Sequence, residues 1–211
     1  MKIAVVGAGN VGASFARAAV AAGHTVTLSA ASAEKAAAVA AEVGAAAAVS
    51  NAAAVVDADL VFLAVPHAAL AAVAADIREA AAGIPVVDAT NPLNDTYTDL
   101  AIEGVSGAED LQALLPGSPV VKAFNTVFAS RYGTPTEDGR ALPAFIAGDD
   151  AGAKATVGAL ATSLGFQTLD VGGLRQARGL EELAFLNIGL NAANGWSWQS
   201  AWTLVGPTSL A

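Results

Sequence analysis

Three glycines, Gly7, Gly9 and Gly12, follow the apolar run Ile3-Ala4-Val5-Val6 and open a stretch of helix formers. That spacing suits a pyrophosphate. Gly7 would permit a tight turn, Gly9 would let the backbone approach the phosphates without a Cβ in the way, and Gly12 would let a helix pack close to a strand. Asn10 and Val11 lie in the same turn, where free N–H groups and the positive end of a helix dipole stabilise anions without any Lys. Further polar residues follow apolar segments at Pro66-His67, Asn91-Pro92 and Asn125-Thr126. Ligands of open α/β sheets sit at the carboxyl ends of strands. Pro66 and His67 would then line the approach of a ribose and nicotinamide, Asn91 would follow, and Asn125 and Thr126 could hold a carboxamide. No Ser-His-Asp set or carboxylate dyad stands at a readable spacing. Chemistry that rests on orienting bound groups needs none, since orientation can supply much of a rate. No catalytic residue is fixed by this reading; His67 and Asn125 are the candidates, and His67 could equally be a solvated helix-start residue.

The elements that must position these residues read as strands at 2–6, 24–28, 45–49, 59–65, 84–89, 119–124, 144–147 and 166–170. Helices fill the gaps, among them 10–22 ending at Gly23, one capped by Ser32 and running to Val43 before Gly44, and 151–164. A last helical block begins near Arg175. Strands alternating with helices predict an α/β fold, a Rossmann-type, doubly wound, mostly parallel sheet with a small C-terminal helical extension. Residues 1–170 are expected to form the dinucleotide-binding domain. Residues 171–211 are expected to complete a second-substrate cleft and a dimer interface.

Composition narrows the partners. A chain of 211 residues with 55% apolar content can bury a full core. Its net charge of −9, from 10 Lys+Arg against 19 Asp+Glu, offers no basic stripe for nucleic acid. Without Cys and with only His24 and His67, disulfides are excluded and no metal site is expected. Gly7 interrupts the first apolar run too early for a signal peptide. The stretch 183–205 is long and apolar, but Asn187, Asn191, Asn194 and Gln199 would lack partners in hydrocarbon. The expectation is a cytoplasmic protein that binds a small molecule, touches no membrane, and pairs as a homodimer through its apolar C-terminal helix.

At the end of the second strand, where NAD-binding domains place a carboxylate for the ribose, the chain has Ser29-Ala30-Ala31-Ser32. Ser29 and Ser32 could donate to a 2′-phosphate, with Lys35 one turn on, or could be ordinary turn and cap residues. NADP(H) is favoured over NAD(H), although no Arg supplies a bidentate partner. Nearer the C-terminus, Asn187, Asn191 and Asn194 share one helix face and could meet a second substrate, a neighbouring backbone or a partner subunit. Arg175 and Arg178 could bind an anionic tail or pair with Glu181 and Glu182. Trp196, Trp198 and Trp202 read as packing residues.

Taken together, Gly7 to Gly12, Ala64-Val65-Pro66-His67, Asn91-Pro92-Leu93-Asn94, Val121 to Thr126 and Ala147-Gly148-Asp149-Asp150 resemble the F420-dependent NADP oxidoreductase family over nearly the whole chain. Similar segments occur in the dinucleotide-binding domain of STEAP-type ferric reductases. The resemblance implies hydride transfer between NADP(H) and the deazaflavin coenzyme F420. It also implies cofactor contacts at Ala64, Val65, Pro66, His67, Asn91, Pro92, Ala123, Asn125 and Thr126, besides the glycine turn. Ala30 and Ala31 stand where the family shows a Ser-Arg pair for the 2′-phosphate. Two other classes of function remain open. One is a reductase of small carbonyls or imines with Lys122 or His67 as proton donor; the other is a dinucleotide-binding module without chemistry of its own.

Overall fold

The computed structural model describes residues 1–206; of the C-terminal segment expected at 171–211, residues 207–211 lie outside the described residues. In chain order the elements are β1 (Lys2–Val6), α1 (Asn10–Ala21), β2 (Thr25–Ser29), α2 (Ala33–Val43), β3 (Ala46–Ala47) and α3 (Asn51–Val55). There follow β4 (Leu60–Leu63), α4 (Leu70–Ile77), β5 (Val86–Asp88), α5 (Gly107–Leu114) and β6 (Val120–Ala123). The last are β7 (Thr136–Glu137), β8 (Arg140–Ala141), β9 (Pro143–Gly148), α6 (Ala151–Ser163), β10 (Gln167–Gly172) and α7 (Ala177–Asn194).

Eight strands form one sheet in the order β10-β9-β6-β5-β4-β1-β2-β3. The order reverses between β1 and β4, the switch point at which such sheets open a crevice. Side chains alternate across the pleat: Ile3 and Val5 join the core with α1, α2 and α6, whereas Ala4 and Val6 join the core with α3, α4 and α5. This burial on both faces explains why β1, β4 and β6 read as near-continuous apolar runs.

The fold is the Rossmann type expected, with local corrections. β9 runs antiparallel to β6, and the small hairpin β7-β8 went unanticipated because its two-residue strands are exposed and carry no apolar pattern. The second strand is shifted by one residue, so Ser29 lies inside it, paired with Val6. The stretch 183–205 is not one helix, since α7 stops at Gly195, which takes a left-handed cap conformation with φ +63°. Among the described residues no helix is long and apolar enough to cross a membrane.

Candidate functional site

The glycine turn is held by backbone contacts on two sides and is open on a third. Gly7 adopts φ +115°, and a Cβ there would lie 2.2 Å from the carbonyl oxygen of Ala64. At Gly12 a Cβ would lie 1.8 Å from the carbonyl oxygen of Gly7. Both glycines are thus fixed by the close approach of β1, β4 and α1. Gly9 differs, because a Cβ there would meet nothing within 4 Å. It is the N-cap of α1 and no side chain caps that end, so the first-turn N–H groups beside Asn10 and Val11 are left for an anion.

At the end of β2 the structure corrects the expected role of Ser29. Its side chain is fully buried and donates to Asn51 Oδ1 at 2.9 Å, while Asn51 Nδ2 donates to Asp76 Oδ2 at 3.1 Å. The pleat turns Ser29 inward toward α3, so it cannot serve an exposed phosphate. Ser32 is exposed and caps α2 by accepting the Lys35 N–H at 3.1 Å. Ala30 and Ala31 add no polar side chain.

Beyond β5 and β6 a cleft of about 150 Å³ is lined by Val11, Asn91, Asn125, Thr126, Tyr132 and Asn187, among others. The expected residues Val11, Asn91, Asn125 and Thr126 therefore converge, joining the glycine turn to two strand ends. Ala123 is buried in β6 beneath them, and Pro92 is buried beside Asn91. Ala64 and Val65 follow β4 half-buried, Pro66 is exposed, and His67 opens a single 3₁₀ turn. His67 does not line this cleft. It stands against the start of α5, where a Cβ on Gly107 would lie 3.3 Å from its Nδ1, a buried atom without a hydrogen-bond partner.

Beneath the cleft lies a charged cluster. Lys122 is 0% exposed, and its Nζ donates to Asp88 Oδ2 at 2.9 Å, Glu181 Oε1 at 2.7 Å and the Thr90 carbonyl at 2.7 Å. Asp88 Oδ1 in turn accepts the Thr90 N–H at 2.9 Å. Glu181 accepts backbone N–H groups of Gly107 at 3.1 Å and Ala108 at 3.4 Å, at the positive end of α5. Burial pushes the Glu181 carboxyl upward, and the charge of Lys122 opposes that push. One cation thus ties β5, β6, α5 and α7 together and fixes the backbone leading to Asn91. Lys122, considered above as a proton donor, has its ammonium spent on three acceptors inside the protein.

Arg178 also differs from expectation. Arg178 does not pair with Glu181 or Glu182. It grips Glu109 through Nε and a terminal nitrogen, each at 2.7 Å. Arg178 holds the Glu109 carboxyl down at about 2, helped by Ser106 in a capping box. Asp88 and Glu109 belong to no motif in the sequence, and Glu181 stands there only as a possible partner of the arginines. The available signal was Lys122 itself, a charge in the apolar strand Val120-Val121-Lys122-Ala123, since a Lys is fully buried almost only when paired.

The asparagine face of α7 holds the chain's own tail. Asn191 Nδ2 donates to Ser200 Oγ at 2.7 Å and Asn191 Oδ1 accepts the Trp198 N–H at 3.1 Å. Asn187 Nδ2 donates to the Ser200 carbonyl at 3.3 Å. Asn194 bonds the Leu190 carbonyl within its own helix. Trp198 rests edge-on against Phe128 with centroids 5.5 Å apart, and Trp202 Nε1 donates to the Leu183 carbonyl at 3.0 Å. Trp196 remains exposed. Only Asn187 of the three asparagines borders the cleft.

Comparison with known proteins gives this geometry a family. Residues 2–92 match the model of the family described as NADP oxidoreductase, coenzyme F420-dependent. A crystal structure of a candidate F420-dependent NADP-reductase from Arthrobacter sp. FB24 superposes with a TM-score of 0.87 at 31% identity, covering 97% of this chain and 100% of that one. The metalloreductase STEAP3 of Rattus norvegicus is 38% identical over 102 residues, a stretch that is 48% of this chain and only 20% of STEAP3. A reductive aminase from Aspergillus terreus, solved with NADPH and ethyl levulinate, shares the fold at a TM-score of 0.69 and 21% identity, covering 92% of this chain and 62% of that one. The chain belongs to the F420-dependent NADP oxidoreductase family of enzymes.

Proposed function

We propose that this enzyme moves a hydride between NADP(H) and a deazaflavin such as coenzyme F420, or a flavin-like acceptor. The observation that carries the reading is the continuity of the uncapped glycine turn with a cleft lined by Val11, Asn91 and Asn125, while the ammonium of Lys122 is locked on Asp88, Glu181 and the Thr90 carbonyl. Gly9, Asn10 and Val11 would hold the pyrophosphate through backbone N–H groups. Ala64, Val65, Pro66 and His67 would border the ribose, and Asn91, Pro92, Ala123, Asn125 and Thr126 would hold the nicotinamide end. The reduced nicotinamide supplies the hydride. The protein's part is to stack two rings at close range and exclude water, which suits a ring acceptor better than a carbonyl that needs a proton donor beside it. Purified protein mixed with NADPH and oxidised F420 should lose nicotinamide absorbance; no loss with either deazaflavin or flavin, alongside turnover of a ketone or imine, would transfer the assignment to the carbonyl and imine class.

NADP(H) is the preferred cofactor in this reading, with Ser32 and Lys35 at the start of α2 as the groups nearest in kind to a phosphate partner. In this reading Ala184, Asn187 and Ile188 of α7 would form one wall of the second-substrate cleft. The outer face of α7, a groove of about 630 Å³ lined by Gly179, Leu183, Leu186 and Leu190, would pack against a second copy. Leu186 is 53% exposed there, and sedimentation of Leu186→Glu should show a monomer where the parent shows a dimer.

A further inference from the structure

We infer that Asn125 Oδ1 is an acceptor reserved for the primary amide of a bound nicotinamide, so that the protein selects a cofactor carrying an –NH₂ at that position. The inference rests on the reading above that a nicotinamide dinucleotide occupies the cleft.

The polarity of Asn125 is set by groups that cannot be reversed. Its Nδ2 donates to the Leu180 carbonyl at 2.9 Å and to Asn91 Oδ1 at 2.9 Å. A backbone carbonyl only accepts, so the –NH₂ of Asn125 must face Leu180. Asn91 is fixed in the same manner, because its Nδ2 donates to the backbone carbonyl of Asn125 at 3.0 Å. Exchanging nitrogen and oxygen in either amide would set acceptor against acceptor. Asn125 Oδ1 is then committed to the remaining direction, and there it is buried with no partner.

The residue is 7% exposed and lines the cleft. A buried acceptor left unmade is expensive, and the residue before it adds a second cost: Phe124 takes φ +64°, a left-handed conformation that bulky residues avoid. A second orphan, the Tyr132 hydroxyl, belongs to a residue of the same cleft. An acceptor and a donor without partners complement a group that both donates and accepts, which is what a carboxamide does. The cleft of about 150 Å³ is well below the roughly 300–1,000 Å³ of pockets that enclose a whole ligand. It fits the terminal ring and its amide.

Equilibrium titration of the unmodified protein tests this with five probes: NADP⁺, its thionicotinamide analogue, its acetylpyridine analogue, NAD⁺ and adenosine 2′,5′-bisphosphate. The thionicotinamide keeps the –NH₂, while the acetylpyridine replaces it with a methyl group. The thionicotinamide should bind like NADP⁺. The acetylpyridine should bind more weakly by on the order of ten- to a hundredfold, the range expected when a buried acceptor loses its donor. Asn125→Ala should erase that discrimination and leave adenosine 2′,5′-bisphosphate binding unchanged, which also reports that the variant is folded. Equal affinity of the unmodified protein for NADP⁺ and the acetylpyridine analogue would overturn the inference while leaving the cofactor reading intact. Failure of NADP⁺, NAD⁺ and the bisphosphate alike to bind would overturn both.

Discussion

The two ends of the crevice are built on opposite principles. At the glycine turn the structure offers backbone, and the one position facing open space, Gly9, carries no side chain. At the far end side chains do the work, and each is pinned: Asn91 and Asn125 bond each other and two carbonyls, above a Lys122 that is fully enclosed. Backbone suffices for a phosphate, whose charge a helix end meets from any residue type. A neutral amide has no such field to respond to, so its recognition needs atoms placed by packing.

The largest expected effect comes from breaking the far end. Lys122→Met would leave Asp88 and Glu181 buried without their cation, and loss of one partner of a buried pair costs about 3–5 kcal/mol. Urea unfolding at neutral pH should register it; a change below about 1 kcal/mol would mean that the cluster does not fix this end.

At the near end, two glycines separate fold from binding. Gly12→Ala sets a Cβ against the Gly7 carbonyl and should lower stability by about 1–3 kcal/mol, as overpacking does. Gly9→Ala meets open space at φ −81°, so stability should stay within about 0.5 kcal/mol while dinucleotide affinity falls. Equal affinity in Gly9→Ala and the parent would sever the turn from the phosphate.

A smaller effect lies at the edge of the cluster. Glu109 has its folded pKa depressed to about 2 by Arg178, so its contribution is present above the ordinary carboxylate range. That contribution fades as pH falls from about 5 toward 2. Glu109→Gln should flatten this acid limb in melting temperature against pH and leave dinucleotide affinity unchanged. The smallest is Tyr132→Phe: removal of a buried, unpartnered hydroxyl should raise the stability of the free protein by about 1 kcal/mol or less, yet weaken nicotinamide binding. Weakened stability would show that the hydroxyl has a partner before any ligand arrives.

The near end was legible in the sequence because its determinants are local. Gly7, Gly9 and Gly12 act within six residues, and the strand before them and helix after them could be read from pattern alone. Ser32 as the cap of α2 and Gly44 as its stop were legible for the same reason. Ser29 was misread because β2 runs one residue beyond Leu28, so the pleat, rather than a loop, sets the direction of its side chain. The antiparallel β9 escaped because strand direction depends on which neighbour a strand meets.

By itself the sequence determined the alternation of strands and helices, the glycine turn between β1 and α1 and the absence of disulfides, all properties of neighbouring residues or of composition. Only the tertiary structure decided that Lys122 is a strut between Asp88 and Glu181, residues 34 and 59 positions away, and that Asn187 and Asn191 of α7 clasp the segment around Ser200. It also decided that Asn125 keeps one oxygen free. The physical reason is that a hydrogen bond or ion pair has a direction and a reach of about 3 Å, and only the folded chain brings distant groups within it.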